Sequence, residues 1–464
     1  MKYAVLLDFG STYTKVVCVD LEAQRVVLTD KRPSTVGTDA RIAMNQCLEA
    51  VRNIIGEAAL EKALKLSTSS AAGGLRIAVS SLTQSLSLKA GRNASFGAGG
   101  KVVYNCAGKL TEESLAEIND SNAEIILLCG GYEGGNTSLL LYNAEVISKS
   151  GLNIPVVYAG NSHIVQDIRR IFLGRGKECF IAANMTPDVG LLNIEPTVDI
   201  IRGLFMSRIT NMKGIGEIKS ILDGPVIPTP AAVLAAGTLL YKGTEAKSGI
   251  GPYMMVDIGG ATTDVYSFVT STGYNGAKCI GSPEPEAKRT VEGDLGMRES
   301  SICLLKEVGK EEFASLCGIT EAETEAAITK RITEKEFVAT DFFDKRIDLQ
   351  IAACAVGISA RRHAGFTSRE FNGGCNVVQR GKNLTPITKV IGTGGILVNN
   401  PFKDAEVILK NVQESKEEIL LPEYVDVAID TDYIMFAAGL LSDEYEDVAL
   451  EIMKQSVGIT EEEF

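Results

Sequence analysis

Tryptophan is absent from the 464-residue chain, and histidine occurs only twice, as His163 and His363. With only two histidines, a zinc site is not expected. The ten cysteines are scattered along the chain. No two are spaced as C-x-x-C, and Cys18, Cys129 and Cys354 sit inside apolar runs. Iron–sulfur clusters need closely spaced thiolates, so scattered free thiols in a reducing compartment are expected instead. Aromatic residues make up 6% of the chain, too few to favour recognition by base stacking. A net charge of −13 opposes a nucleic acid held through its phosphates. Apolar stretches such as "EIILLC" (124–129) fall far short of the roughly 20 residues that a spanning helix needs. The start of the sequence has no basic leader or cleavage pattern, and a cytoplasmic protein without a membrane partner is expected.

What is present is an ordinary globular composition, 45% hydrophobic and 23% charged. The length calls for at least two domains. Residues 3–8, 14–20 and 25–29 read as successive strands. Residues 40–66 carry apolar side chains at helical spacing. From 75 onward, strand-like runs at 75–82, 101–106, 124–131, 155–160 and 178–184 alternate with helical stretches at 110–120, 138–150 and 162–173. That alternation predicts a parallel sheet with crossover helices over roughly 70–185, flavodoxin-like in style and forming a module of its own. Glycine clusters follow its strands, at 129–138 and 158–163. Each is either a ligand loop or a tight βα turn. Residues 228–242 and 432–452 predict two helices with small residues on their surfaces. The charged run 320–336 predicts a solvated helix.

One pattern occurs twice. "VLLDFGSTYTKVVCV" (5–19) is an apolar strand that reaches Asp8, turns on Gly10 and hydroxyls, passes Lys15 and becomes apolar again. "VDIGGATTDVYSF" (256–268) repeats it, with Asp257 for Asp8, Gly259 for Gly10 and Thr263 for Thr14. Lys15 becomes Asp264. Glycine admits backbone N–H groups close to anionic oxygens, and Ser11, Thr12, Thr262 and Thr263 add hydroxyl donors. Lys15 supplies a point charge. Asp8 and Asp257 need a cation between themselves and a phosphate, and magnesium suits two such carboxylates. Two copies predict two similar domains that offer their turns to a shared cleft. A third element, "VIGTGGILV" (390–398), is a strand with a glycine-rich turn, fit to pack backbone against a base and ribose.

In this order, the three elements resemble the actin, sugar-kinase and heat-shock-chaperone ATPase superfamily. The resemblance implies an α/β fold: a two-lobed actin-like ATPase of duplicated ribonuclease H-like domains, with the flavodoxin-like module inserted in the first lobe. The implied boundaries are 1–69, 70–185, 186–245 and 246–464, with 228–242 and 432–452 as connecting helices. It also implies ATP and magnesium as ligands. Asp8 and Asp257 would hold magnesium through water, and Ser11, Thr12 and Lys15 would contact the β- and γ-phosphates, with Gly10 at the turn. Gly259, Gly260, Thr262 and Thr263 would hold the γ-phosphate, and Asp264 would lie near the attacking water. Gly392, Gly394 and Gly395 would flank adenosine. "KRTVEGDLGMRES" (288–300) is expected to begin a helix, bringing Glu292, Gly293 and Asp294 toward the cleft. The other reading of Asp294 is that helix's N-cap.

A narrower resemblance spans nearly the whole chain. "LDFGSTYTK", "SSAAGGLR", "PVVYAGN", "LNIEPT", "IPTPAAV", "DIGGATTDVYS", "PEPEAKRTVEGDLGMR", "RRHAG" and "IGTGG" together are similar to the glutamate mutase accessory proteins, the MutL/GlmL family. That family is associated with adenosylcobalamin-dependent carbon-skeleton mutases of amino-acid fermentation. The implied role is ATP-dependent reactivation of the mutase by release of damaged cobalamin, with the mutase subunits as partners. No D-x-H-x-x-G motif for base-off cobalamin occurs, and both histidines read as structural. The rival is a small-molecule kinase of the same superfamily acting on a carboxylate or sugar. ATP turnover that needs a metabolite would mark it.

Overall fold

The structure is a computed structural model that describes residues 2–10, 13–70, 75–209, 215–334, 337–371, 375–413 and 418–459. The chain divides into two compact units. The first holds residues 1–236, 281–285 and 435–452; the second holds 237–280, 286–434 and 453–464.

The first unit carries β1 (Tyr3–Phe9), β2 (Tyr13–Asp20), β3 (Arg25–Pro33), β4 (Leu64–Ser69), β5 (Arg76–Ser81), β6 (Lys101–Ala107), β7 (Ile125–Gly130), β8 (Val156–Gly160), β9 (Cys179–Ile181) and β10 (Val226–Pro228). One sheet runs β10-β4-β1-β2-β3. β1 pairs antiparallel with β2 and β2 with β3, whereas β4 runs parallel to β1 and β10 parallel to β4. The other sheet runs β6-β5-β7-β8-β9 and is parallel throughout, as the strand–helix alternation predicts. Its side chains alternate between two apolar layers. Ala78, Ile126, Leu128 and Tyr158 pack under its own helices. Ile77, Val79, Leu127 and Val157 join Val5, Leu7, Phe9 and Val16 of the first sheet in one core. Residues 76–181 thus share an apolar face with the first sheet.

The second unit carries β11 (Tyr253–Ile258), β12 (Thr263–Phe268), β13 (Lys278–Cys279), β14 (Ala287–Glu292), β15 (Phe366–Phe371), β16 (Cys375–Arg380), β17 (Lys389–Thr393) and β18 (Asp426–Ile429). Its main sheet runs β14-β12-β11-β17-β18. The directions repeat those of the first sheet: two antiparallel pairings, then two parallel ones. A small sheet, β13-β16-β15, accompanies it.

Three sequence expectations change. The helix expected over 40–66 ends early: helices span Ala40–Ile55 and Glu57–Glu61, and residues 64–69 are β4. Leu64, Lys65 and Leu66 suit a helix, but the slot beside β1 takes them as a strand. Residues 432–452 form two helices, Met435–Leu441 and Glu446–Ser456. The charged helix Glu321–Thr333 is only partly solvated, because Thr324, Ala327, Ile328 and Arg331 are buried.

Small residues have a packing reason in the first unit. A Cβ on Gly439 would collide with the backbone of Ala232 in helix Thr229–Lys242. Gly439→Ala is therefore expected to cost about 1–3 kcal/mol, read as a lower urea midpoint at unchanged slope.

Candidate functional site

At the end of β1, Asp8 is 2% exposed. It pairs across the hairpin with Lys15 and alongside Thr68 of β4. Its Oδ1 accepts hydrogen bonds from the hydroxyls of Thr68 (2.9 Å) and Thr229 (2.6 Å), and its Oδ2 lies 3.8 Å from Lys15 Nζ. The Gly10 N–H donates to the Tyr13 carbonyl at 3.0 Å. A Cβ on Gly10 would sit 2.6 Å from that carbonyl oxygen, so the turn admits only glycine. Ser11 and Thr12 lie outside the described residues.

The second hairpin repeats this register. Asp257 pairs across with Asp264 and alongside Thr393 of β17. The Gly259 N–H donates to the Thr262 carbonyl at 2.9 Å, as Gly10 does to Tyr13. Asp257 is exposed, and Thr263 is buried with its hydroxyl donating to the Leu295 carbonyl at 2.5 Å. Asp264 is engaged by a buried arginine: Arg289 Nε and Nη2 donate to its Oδ1 at 2.8 and 2.5 Å. The Thr262 hydroxyl lies 3.4 Å from its Oδ2.

The loop after β14 wraps the glycine turn. N–H groups of Met297, Arg298 and Glu299 donate to the carbonyls of Gly259 (3.0 Å) and Gly260 (2.7 and 3.1 Å), and the Ser300 hydroxyl donates to Ala261 (2.5 Å). All three turn carbonyls are therefore occupied from one side. Among the described residues, no acceptor takes the N–H groups of Gly260, Ala261 or Thr262. Carbonyls turned inward and amides left over make a concavity suited to an anion.

The helix expected to begin within 288–300 is not there. Residues 287–292 are β14, held in place by pairing with β12, and the helix starts at Ser301. Asp294 is therefore no N-cap. Arg362 Nη1 binds Asp294 (2.8 and 2.9 Å) together with Glu292 (2.9 Å), and Gly293 is the link between those two carboxylates.

The third motif meets the second hairpin within the same sheet. Gly392 pairs alongside Val256, and Gly394, at φ +108°, is pressed against the backbone of Ile258. Gly395 opens a four-residue helix, Gly395–Val398. A Cβ on Gly392 would meet Leu397 and Leu409, so that glycine serves packing. One end of the second sheet thus gathers Asp257, Gly259, Gly260, Thr262, Thr263, Asp264, Gly293, Asp294 and the glycines of 392–395. Asp8, Gly10 and Lys15 occupy the matching end of the first sheet.

The glycine clusters of the parallel sheet hold one another. Asn161 Nδ2 donates to the Tyr132 carbonyl at 2.7 Å, and Glu133 accepts from the Ser162 hydroxyl and Asn184 Nδ2, both at 2.7 Å. Gly130 packs on Ser87. These hydrogen bonds tie the two turns to each other. Burial pushes the thiols of Cys18, Cys47, Cys129 and Cys179 up to about 12, as befits inert core cysteines. Among the described residues no group of three histidine, cysteine, aspartate or glutamate side chains is placed to hold a metal. No described helix is long and apolar enough to cross a membrane.

The model of the family described as "MutL protein" matches residues 4–457. The chain belongs to the MutL family. A MutL-family relative, Protein MutL of Clostridium tetanomorphum, is 37% identical over 456 residues, covering 97% of this chain and 98% of that one. Two solved structures are also similar. The ethanolamine utilization protein EutJ of Carboxydothermus hydrogenoformans is 12% identical, covers 97% of this chain and 89% of its own, and gives a TM-score of 0.27. Gluconate kinase of Lactobacillus acidophilus is 11% identical, with coverages of 99% and 90% and a TM-score of 0.29. The fold of this MutL-family chain rests on its own strand order and register, not on these superpositions.

Several residues of the MutL-family site escape sequence reasoning. Thr68 and Thr229 reach Asp8 from 60 and 221 positions away, and Arg289 reaches Asp264 from 25. The signals available were the hydroxyl-rich end of β4 and the "RRHAG" segment with Arg362 and His363. His363 is fully buried, with its ring nitrogens 2.8 Å from the hydroxyls of Thr290 and Ser267. Burial, then the Lys288 and Lys382 ammonium groups, hold its imidazole well below the ordinary 6.5. The unfolded chain takes up a proton there below about pH 6.5 and the folded chain does not, so stability falls on acidification. In urea titrations between about pH 6.5 and 5, His363→Gln should show a shallower loss than the native chain.

Proposed function

We propose that this MutL-family protein is an ATPase serving an adenosylcobalamin-dependent carbon-skeleton mutase of the glutamate mutase type, driving release of damaged cobalamin so that intact coenzyme can bind. One observation carries the nucleotide part: the same Asp–Gly turn stands at the same register in two sheets of one strand order. Lys15 and the free amides of Gly260, Ala261 and Thr262 would hold phosphate oxygens. Gly394 and Gly395 would back the adenosine.

The residues fit magnesium of a particular kind. Asp8 already accepts two hydroxyls on one oxygen, and Asp257 is exposed. Each carboxylate, taken by itself, suits contact with magnesium through water rather than direct ligation. Magnesium would supply neutralisation of charge on the transferring phosphoryl group.

The mutase as client follows from the family resemblance. The strand order β6-β5-β7-β8-β9 supports a flavodoxin-like reading of residues 70–185 as the element that engages the mutase's cobalamin subunit. Deleting 70–185 would strip the core it shares with the first sheet, so the client is better tested directly. ATP hydrolysis is expected to rise when mutase blocked with cyanocobalamin is added, with cyanocobalamin released in step. A rate indifferent to blocked mutase would sink the reactivation reading.

A further inference from the structure

Arg298 stands one residue from Met297, inside the loop that takes up the carbonyls of the glycine turn. Its own N–H donates to the Gly260 carbonyl at 2.7 Å, and its Cβ and Cγ lie beside Gly260. Its side chain leads elsewhere. Nη1 and Nη2 reach the two oxygens of Asp348 at 3.2 and 2.9 Å, and Nη2 also donates to the Phe337 carbonyl at 3.0 Å. The guanidinium lies 5.8 Å from the Phe337 ring centre. Asp348 belongs to helix Phe342–His363 and is shared with Arg331, whose Nε donates to it at 2.6 Å. Arg331 is fully buried and also binds the carbonyls of Ala327 and Asp344. One residue therefore grips the turn with its backbone and a rigid helical network with its side chain.

We propose that Arg298 is a positioning residue for the phosphate turn, fixing it to helices 321–333 and 342–363 and passing occupancy of the turn to them. This rests on the reading of Gly259–Thr262 as a phosphate turn. Asp348 is the anchor, and the planar fork is what an arginine offers and a lysine does not. The arrangement also makes Arg298 open to substitution. Without it, Arg331 still compensates the Asp348 carboxylate, so no buried charge is stranded.

The test uses the full-length protein with MgADP as probe. Affinity is measured by calorimetry, and hydrogen exchange is followed over residues 337–348. The native chain is expected to gain protection there when MgADP binds. Arg298→Met and Arg298→Lys are both expected to bind MgADP about tenfold more weakly and to lose that protection, since small displacements of positioned groups carry costs of this order. Lysine restoring native affinity and protection would show that charge alone matters and would overturn the positioning role. So would native behaviour in Arg298→Met. Failure of the native chain to bind MgADP would instead remove the nucleotide reading, and this inference with it.

Discussion

Asp257→Ala is expected to lower magnesium-dependent ATP hydrolysis by about a hundredfold or more, the scale seen when a group stabilising developing charge is removed. Stability should change by less than about 0.5 kcal/mol, because the side chain is exposed. Asp8→Ala is expected to do both kinds of harm. Asp8 is buried and accepts the hydroxyls of Thr68 and Thr229, so alanine leaves two donors without their acceptor, at roughly 1–3 kcal/mol. Asp8→Asn separates the effects: its amide oxygen can still accept those hydroxyls, yet the charge is gone. Activity should fall as in the alanine variant while the urea midpoint stays near that of the native chain. Native hydrolysis rates in Asp257→Ala would refute the assignment of this turn to nucleotide.

The largest expected effect on stability lies at Asp348. Its carboxylate compensates the fully buried Arg331 and receives Arg298 as well. Asp348→Ala leaves a guanidinium in the interior with no counter-charge from that residue, a change of roughly 3–5 kcal/mol. Neighbouring Asp344, 3.3 Å from Arg331 and also bound by Lys330, offsets only part of this. The contrast with Arg298→Met, which strands nothing, makes the measurement decisive. Equal urea midpoints for the two variants would mean that Arg331 does not depend on Asp348.

Both hairpins could be read directly because their signals are local: an apolar run, a carboxylate, a glycine where the turn needs one, and a second run. Their duplication then implied two sheets of one design. Elements whose form depends on a distant partner were misread. Residues 64–66 continue the helical pattern in isolation and become the start of a strand because β1 pairs with them. Residues 287–292 extend because β12 offers an edge. The same reason hides the side chains that tune the site. Thr229, Arg289 and Asp348 act across 25 to 221 positions, and no local pattern announces them.

The loop that occupies the carbonyls of Gly259, Gly260 and Ala261 also bears on how a ligand is met. A flexible glycine turn must give up conformational freedom when it closes on an anion, and affinity suffers accordingly. Here hydrogen bonds from residues 297–300 hold the carbonyls of the turn. On the reading of this turn as a phosphate site, an arriving phosphate would meet a backbone already held by those hydrogen bonds. On that reading, the entropy lost when an anion binds at this turn would be small.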